Sequence, residues 1–161
     1  MDILDFAMQM EKDGKRLYQD VAARCGDKGI RSICNLLADA EQEHYDLLRS
    51  MKKGTDPTTS LSDVLSGAKN IFQQMAEKGE ELDIKASQLD LYKKAEDIER
   101  RAAAFYRDKA KEVKAKDQAT LLLTLAAEEE KHLRIVGNII EFVSRPMQYL
   151  ENSEWSGIAR E

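Results

Sequence analysis

Two four-residue stretches, Glu41-Gln-Glu-His44 and Glu129-Glu-Lys-His132, each set a carboxylate and an imidazole three residues apart, and they hold both histidines of the chain. At that spacing on a helix the two side chains share a face. Each stretch lies in a run whose leucines and isoleucines recur at helical spacing, so the glutamate and histidine project with the apolar residues. A charged glutamate on a buried face needs a partner, and metal coordination supplies one.

Four long helical segments must position these groups. The first, about 3 to 24, puts Leu4, Ala7, Met8, Glu11, Tyr18, Val21, Ala22 and Cys25 on one stripe, and the second, about 28 to 53, does the same with Ile30, Ile33, Cys34, Leu37, Glu41, His44, Leu48 and Met51. Gly26 is suited to end the first segment, Asp27 to cap the second and Gly54 to stop it, which makes a tight antiparallel hairpin. From Gly54 to about 86 the periodicity loosens. Residues 55–60 read as turn or coil, and Ser60 or Ser62 caps a short helix through the seventies. So long a crossover lets the next helix start at the far end of a bundle, and it also admits an exchange of halves between two chains.

The third segment, about 87 to 114, places Tyr92, Ala95, Glu96, Glu99, Ala102, Ala103, Tyr106, Ala110 and Val113 inward. The fourth, about 117 to 144, carries Leu121, Leu122, Leu125, Glu129, His132, Val136, Ile139, Ile140 and Val143, and Pro146 ends it. We expect one all-α domain over 1–145, a four-helix bundle with a long crossover between its second and third helices, and a tail over 146–161 whose apolar residues dock as a short extra turn.

One internal offset relates the polar interruptions. Glu11 and Glu99, Tyr18 and Tyr106, Glu41 and Glu129, and His44 and His132 each lie 88 positions apart (11 to 99, 18 to 106, 41 to 129, 44 to 132). If the stripes only built a core, the leucines would repeat and the glutamates drift, because core carboxylates are costly unless something holds them. Each half therefore offers a Glu on one helix and a Glu-x-x-His on the other. Four carboxylates and two imidazoles suit two iron or manganese ions roughly 3.5 to 4 Å apart with positions open for an oxygen species. Zinc could bind the same atoms, although the absence of thiolates speaks against a structural zinc. Tyr18 and Tyr106 are either packed aromatics or phenols that hydrogen-bond a ligating carboxylate on a facing helix. A polar core serving fold specificity alone is the non-metal reading, and it predicts no response to a chelator.

Composition narrows the remaining classes. Charged residues make up 34% and aromatics 6% of the chain, a helical balance, and the net charge of −5 comes from acids interleaved with bases, against a nucleic-acid surface. The first residues lack a signal-peptide pattern and no run is long and apolar enough to span a membrane, so a cytoplasmic location is expected. Cys25 and Cys34 match neither a disulfide framework nor a redox pair, and read as two small buried thiols.

The constellation Glu11 with Tyr18, Glu41-x-x-His44, the crossover, Glu99 with Tyr106, and Glu129-x-x-His132 resembles the rubrerythrin-like branch of the ferritin-like di-iron carboxylate proteins, over about residues 3 to 144. The resemblance implies two irons, with Glu11 and Glu99 as terminal ligands, Glu41 and Glu129 bridging, and His44 and His132 serving one iron each. It implies a peroxide-reducing oxidoreductase in which Glu41, Glu129, Tyr18 and Tyr106 carry the chemistry. Two departures bear on that. Peroxide-reducing relatives usually add a glutamate one turn after the third-helix ligand, where this chain has Ala102, and Glu96 one turn before is either a substitute or a glutamate near solvent. No four-cysteine rubredoxin segment is present, so a separate electron donor such as a rubredoxin is expected, with hydrogen peroxide or oxygen as oxidant and a homodimer as the assembly. The alternative is a ferritin-like or bacterioferritin-like ferroxidase and iron-storage subunit, against which stands Gln42 where bacterioferritin-like chains place a haem-ligating Met.

Overall fold

A computed structural model of the chain describes residues 2–55, 60–78 and 86–144. The described residues form five helices: α1 (Ile3–Arg24), α2 (Lys28–Lys53), α3 (Val64–Lys78), α4 (Ala86–Glu112) and α5 (Lys116–Ser144). Residues 56–59 of the expected coil and the expected docked tail lie outside the described residues.

Local chemistry sets most boundaries. Asp2 caps α1 by accepting from the Asp5 amide at 2.8 Å, and Asp27 caps α2 by accepting from the Ile30 amide at 2.9 Å. Gly54 closes α2 with φ +69°, a left-handed conformation that costs glycine nothing, and its N–H reaches back to the last turn. The expected role of Gly26 does not hold: α1 ends one residue earlier, at an extended Cys25 whose N–H bonds the Ala22 carbonyl at 3.4 Å. Nor do Ser60 and Ser62 cap α3. Asp63 does, accepting from the Ser66 amide at 3.1 Å, while Ser62 instead binds Glu43 of α2 through its amide and hydroxyl. Position decides it: α3 starts at Val64, so Asp63 stands immediately before the first helical turn.

The helices α1 and α2 pair as one hairpin, α4 and α5 as another. The hairpins meet along α1 against α4 and α2 against α5, while α3 covers the seam between α2 and α5. Going round the bundle the order is thus α1, α2, α5, α4, and the two helices flanking the crossover, α2 and α4, are not neighbours. This is the all-α, ferritin-like architecture. Among the described residues no helix is long and apolar enough to cross a membrane.

Two apolar clusters fill the bundle from its ends. One gathers Ile30, Ile33, Leu37, Phe72, Ile135, Ile139 and Phe142 with α3, and the other gathers Ala7, Leu47, Leu48, Leu122 and Leu125. Glu11, Glu41, His44, Glu99, Glu129 and His132 belong to neither cluster, yet none is more than 4% exposed. They form a polar layer between two oily ones.

Candidate metal centre

Each of the bundle's four long helices brings its polar residue to the same height. Glu11 comes from α1, Glu41 and His44 from α2, Glu99 from α4, and Glu129 and His132 from α5. Their donor atoms group into two sets, each within 4.8 Å: Glu11, Glu41, His44 and Glu129 in one, Glu41, Glu99, Glu129 and His132 in the other. Glu41 and Glu129 stand in both. The imidazole rings stack at 5.2 Å between centroids, 11° from parallel, and each turns Nδ1 toward carboxylates of both halves. His44 Nδ1 lies 2.9 Å from Glu129 Oε1 and 3.4 Å from Glu11 Oε2, and His132 Nδ1 lies 3.1 Å from Glu41 Oε1 and 3.5 Å from Glu99 Oε1.

Both tyrosines act on this layer. Tyr18 Oη donates to Glu99 Oε1 at 2.6 Å, and Tyr106 Oη donates to Glu11 Oε1 at 2.6 Å. Each phenol thus fixes one oxygen of a carboxylate on the facing helix and leaves the other free to bind. Those other oxygens, Glu11 Oε2 and Glu99 Oε2, are buried without a well-formed hydrogen bond, as is Glu129 Oε2; imidazole Nδ1 approaches Glu11 Oε2 only to 3.4 Å and Glu129 Oε2 only to 3.6 Å. Buried oxygens rarely go unsatisfied, and several aimed into one space mark a site for a cation. The donor set, hard oxygens with one imidazole nitrogen per quartet, fits iron or manganese.

Electrostatics divide the four carboxylates into two kinds. Burial pushes every one of them up, but beside Glu11 the His44 charge and hydrogen bonds from His44, Glu41 and Glu129 prevail and hold it at about 2. Glu99 is likewise held at about 2 against burial, chiefly by His132, with Glu129 and Tyr18. Glu41 and Glu129 go the other way, raised well above the usual range by burial and then by the ionised Glu11 and Glu99. Burial and the neighbouring carboxylates also raise both phenols, which keeps them as donors.

A proton on each shared carboxylate is what a metal must displace. Two divalent ions entering the site are expected to release protons, and affinity should fall as pH falls because protons then compete for Glu41 and Glu129. Calorimetric titration in buffers of different ionisation enthalpy measures this. An enthalpy independent of buffer would contradict it.

Gly14 is a functional position that helix periodicity does not disclose. A Cβ built there would meet Glu41 Oε2 at 3.2 Å and Cδ at 3.3 Å, so the missing side chain is what gives the Glu41 carboxylate its place. The signal was available in the internal offset, which pairs Gly14 with Ala102, the position where an extra glutamate was sought. Gly14→Ala should favour the helix by about 1 kcal/mol yet weaken metal binding by roughly tenfold. Thermal melts of metal-free protein and metal titrations should therefore move in opposite directions, and a variant with unchanged affinity would deny Gly14 this role.

Glu96 is no substitute ligand among the described residues. It stays 31% exposed, 3.8 Å from Arg100 one turn on, and belongs to neither donor group, whereas Ala102 is buried.

The family model described as rubrerythrin matches residues 2–140, which includes all six ligand candidates and both tyrosines. No curated protein and no solved structure matches the chain.

Proposed function

The chain belongs to the rubrerythrin family, and from that premise we propose that it is a non-haem di-iron oxidoreductase that reduces hydrogen peroxide to water. The observation that carries the reading is that two donor quartets share Glu41 and Glu129, the arrangement a pair of bridged ions requires. Glu11 and His44 would complete one ion's protein ligands, Glu99 and His132 the other's.

A ferrous pair would supply one electron from each ion, which matches the two that O–O cleavage consumes. The protein's part is positional. Tyr18 and Tyr106 hold the outer carboxylates by one oxygen each, so that their free oxygens keep a fixed aim. Glu41 and Glu129, whose Oε1 atoms meet imidazole Nδ1 rather than a phenol, would keep the freedom to change how they bind as charge changes. The apolar clusters above and below exclude water, which strengthens each of these interactions. Electrons for the next turnover would come from a separate carrier protein.

The same donors would serve a ferroxidase of the storage class, so the test must separate oxidants. Anaerobic protein loaded with ferrous iron is mixed with hydrogen peroxide or with oxygen and iron oxidation is followed optically. Peroxide is expected to act faster than oxygen and far faster than on free ferrous iron. Equal rates for bound and free iron would end the peroxidase reading, and faster reaction with oxygen in a large hollow assembly would favour storage.

A further inference from the structure

The internal repeat is kept where α1 faces α4 at the metal layer: Tyr18 with Glu99 mirrors Tyr106 with Glu11. Away from the layer it lapses, since Tyr92 Oη donates to Cys25 Sγ at 3.6 Å where the same offset would set Leu4 against Val113 (92 to 4, 25 to 113). Another lapse stands beside the ligands themselves. Glu128, the residue before Glu129, corresponds to Ala40, the residue before Glu41 (128 to 40). One half has a carboxylate where the other has a methyl group.

Both positions face the start of α3 over the seam between α2 and α5. Ala40 packs in one cluster with Val64 and Leu65, and Glu128 and Lys131 wall a cavity of about 390 Å³ opposite the same two residues and Ser62. Ser62 is in turn bound to Glu43 of α2. Lys131 Nζ stands 3.4 Å from Glu128 Oε1, and Glu128 is only 14% exposed. From this place its charge reaches across to α2. Burial alone would lower His44, and the carboxylates of Glu11, Glu99 and then Glu128 outweigh it and raise it. Of those three, Glu128 is the one outside both donor quartets.

His132 has different surroundings. It is fully buried, Ala40 holds the position that corresponds to Glu128, and its Nε2 has no hydrogen-bond partner among the described residues. Nδ1 of each ring faces the carboxylates, so an ion takes Nδ1 and leaves the ring proton on Nε2. A ligating imidazole is more basic and better oriented when negative charge lies beyond that proton. A buried N–H with no acceptor is unfavourable.

We propose that Glu128 is a positioning residue that makes the two metal positions unequal, the one completed by Glu11 and His44 holding its ion more tightly than the one completed by Glu99 and His132. The inference rests on the two-ion reading of the layer, whatever the oxidant. Glu128 acts through the imidazole and not as a ligand: its charge lies beyond His44 and offsets that of the ion in front. Ala40 offers His132 no such charge, so loading is ordered, with the His44 position filled first.

Half-sites separate the two positions. Glu99→Ala leaves Glu11, Glu41, His44 and Glu129 intact, and Glu11→Ala leaves the other quartet, at equal net charge. Cobalt(II) is titrated into each full-length, metal-free variant and its visible absorption followed. Glu99→Ala should bind about tenfold more tightly than Glu11→Ala, and Glu128→Gln should cancel that advantage while leaving the affinity of Glu11→Ala unchanged. Glu128→Asp should restore part of the loss. In otherwise unaltered protein carrying two cobalt ions, each ligating imidazole gives one shifted, exchangeable N–H proton resonance, and Glu128→Gln should move one of the two. Equal half-site affinities, a Glu128→Gln effect of the same size in both, or two resonances moved alike or not at all would overturn the proposal alone. Cobalt bound neither by the half-sites nor by the wild type would overturn it together with the two-ion reading.

Discussion

Glu41→Ala and Glu129→Ala are each expected to take the protein from about two bound metal ions per chain to nearly none, whereas Glu11→Ala and Glu99→Ala should each lose about one. The asymmetry follows from membership: the first two residues belong to both donor quartets and the last two to one apiece. Removing a shared carboxylate leaves both ions with two carboxylates and one imidazole and breaks a bridge between them, whereas removing an outer one impoverishes a single ion, and each impoverished ion competes poorly with water for its remaining ligands. Elemental analysis after desalting, with cobalt as an optical reporter, reads the difference directly. Equal partial losses in all four variants would mean that Glu41 and Glu129 are not shared.

Stripping the metal should cost the fold heavily. Metal-free, the layer keeps ionised Glu11 and Glu99 beside the raised Glu41 and Glu129, all nearly inaccessible to water. At free metal a thousand times its dissociation constant, each site adds about 4 kcal/mol to the stability of the folded state. For a chain of this length each kcal/mol moves the melting temperature by roughly 2 to 4 °C, so a chelator should lower it by roughly 8 to 16 °C per site. Glu41→Gln should raise the melting temperature of the metal-free protein while abolishing the response to metal, because it removes a titrating carboxyl from a crowded layer and a ligand with it. Identical melts with and without chelator would return the layer to a role in fold specificity alone.

Much of this is legible in the sequence. The four long helices follow from apolar stripes, and Asp27 and Gly54 declare their caps by residue type. The six candidate ligands stood out because a buried acid is expensive and these acids repeated at one offset. What the sequence does not encode is set by contacts between helices. Whether Tyr18 was packing or bonding depended on the rotation of α4 against α1, which one helix's periodicity does not encode. Gly14 looked like an ordinary weak helix former until Glu41 was found against it. Cys25 and Tyr92 were each assigned to an inner stripe, but only the antiparallel register made them a pair. Residue type does not single out the Asp63 cap, because the neighbouring serines are equally good candidates.

The polar layer also bears on the order in which the chain folds. Its bonds from Tyr18 to Glu99, from Tyr106 to Glu11, from His44 to Glu129 and from His132 to Glu41 all cross from one half to the other. Each hairpin closes over short sequence separations and should form early, but the carboxylates meet only when α1–α2 docks on α4–α5, the step of long separation. Docking is then where like charges converge and where an ion has most to offer. Metal should accordingly speed that association rather than merely hold the finished bundle, and the rate-limiting phase of refolding should shorten as metal is added.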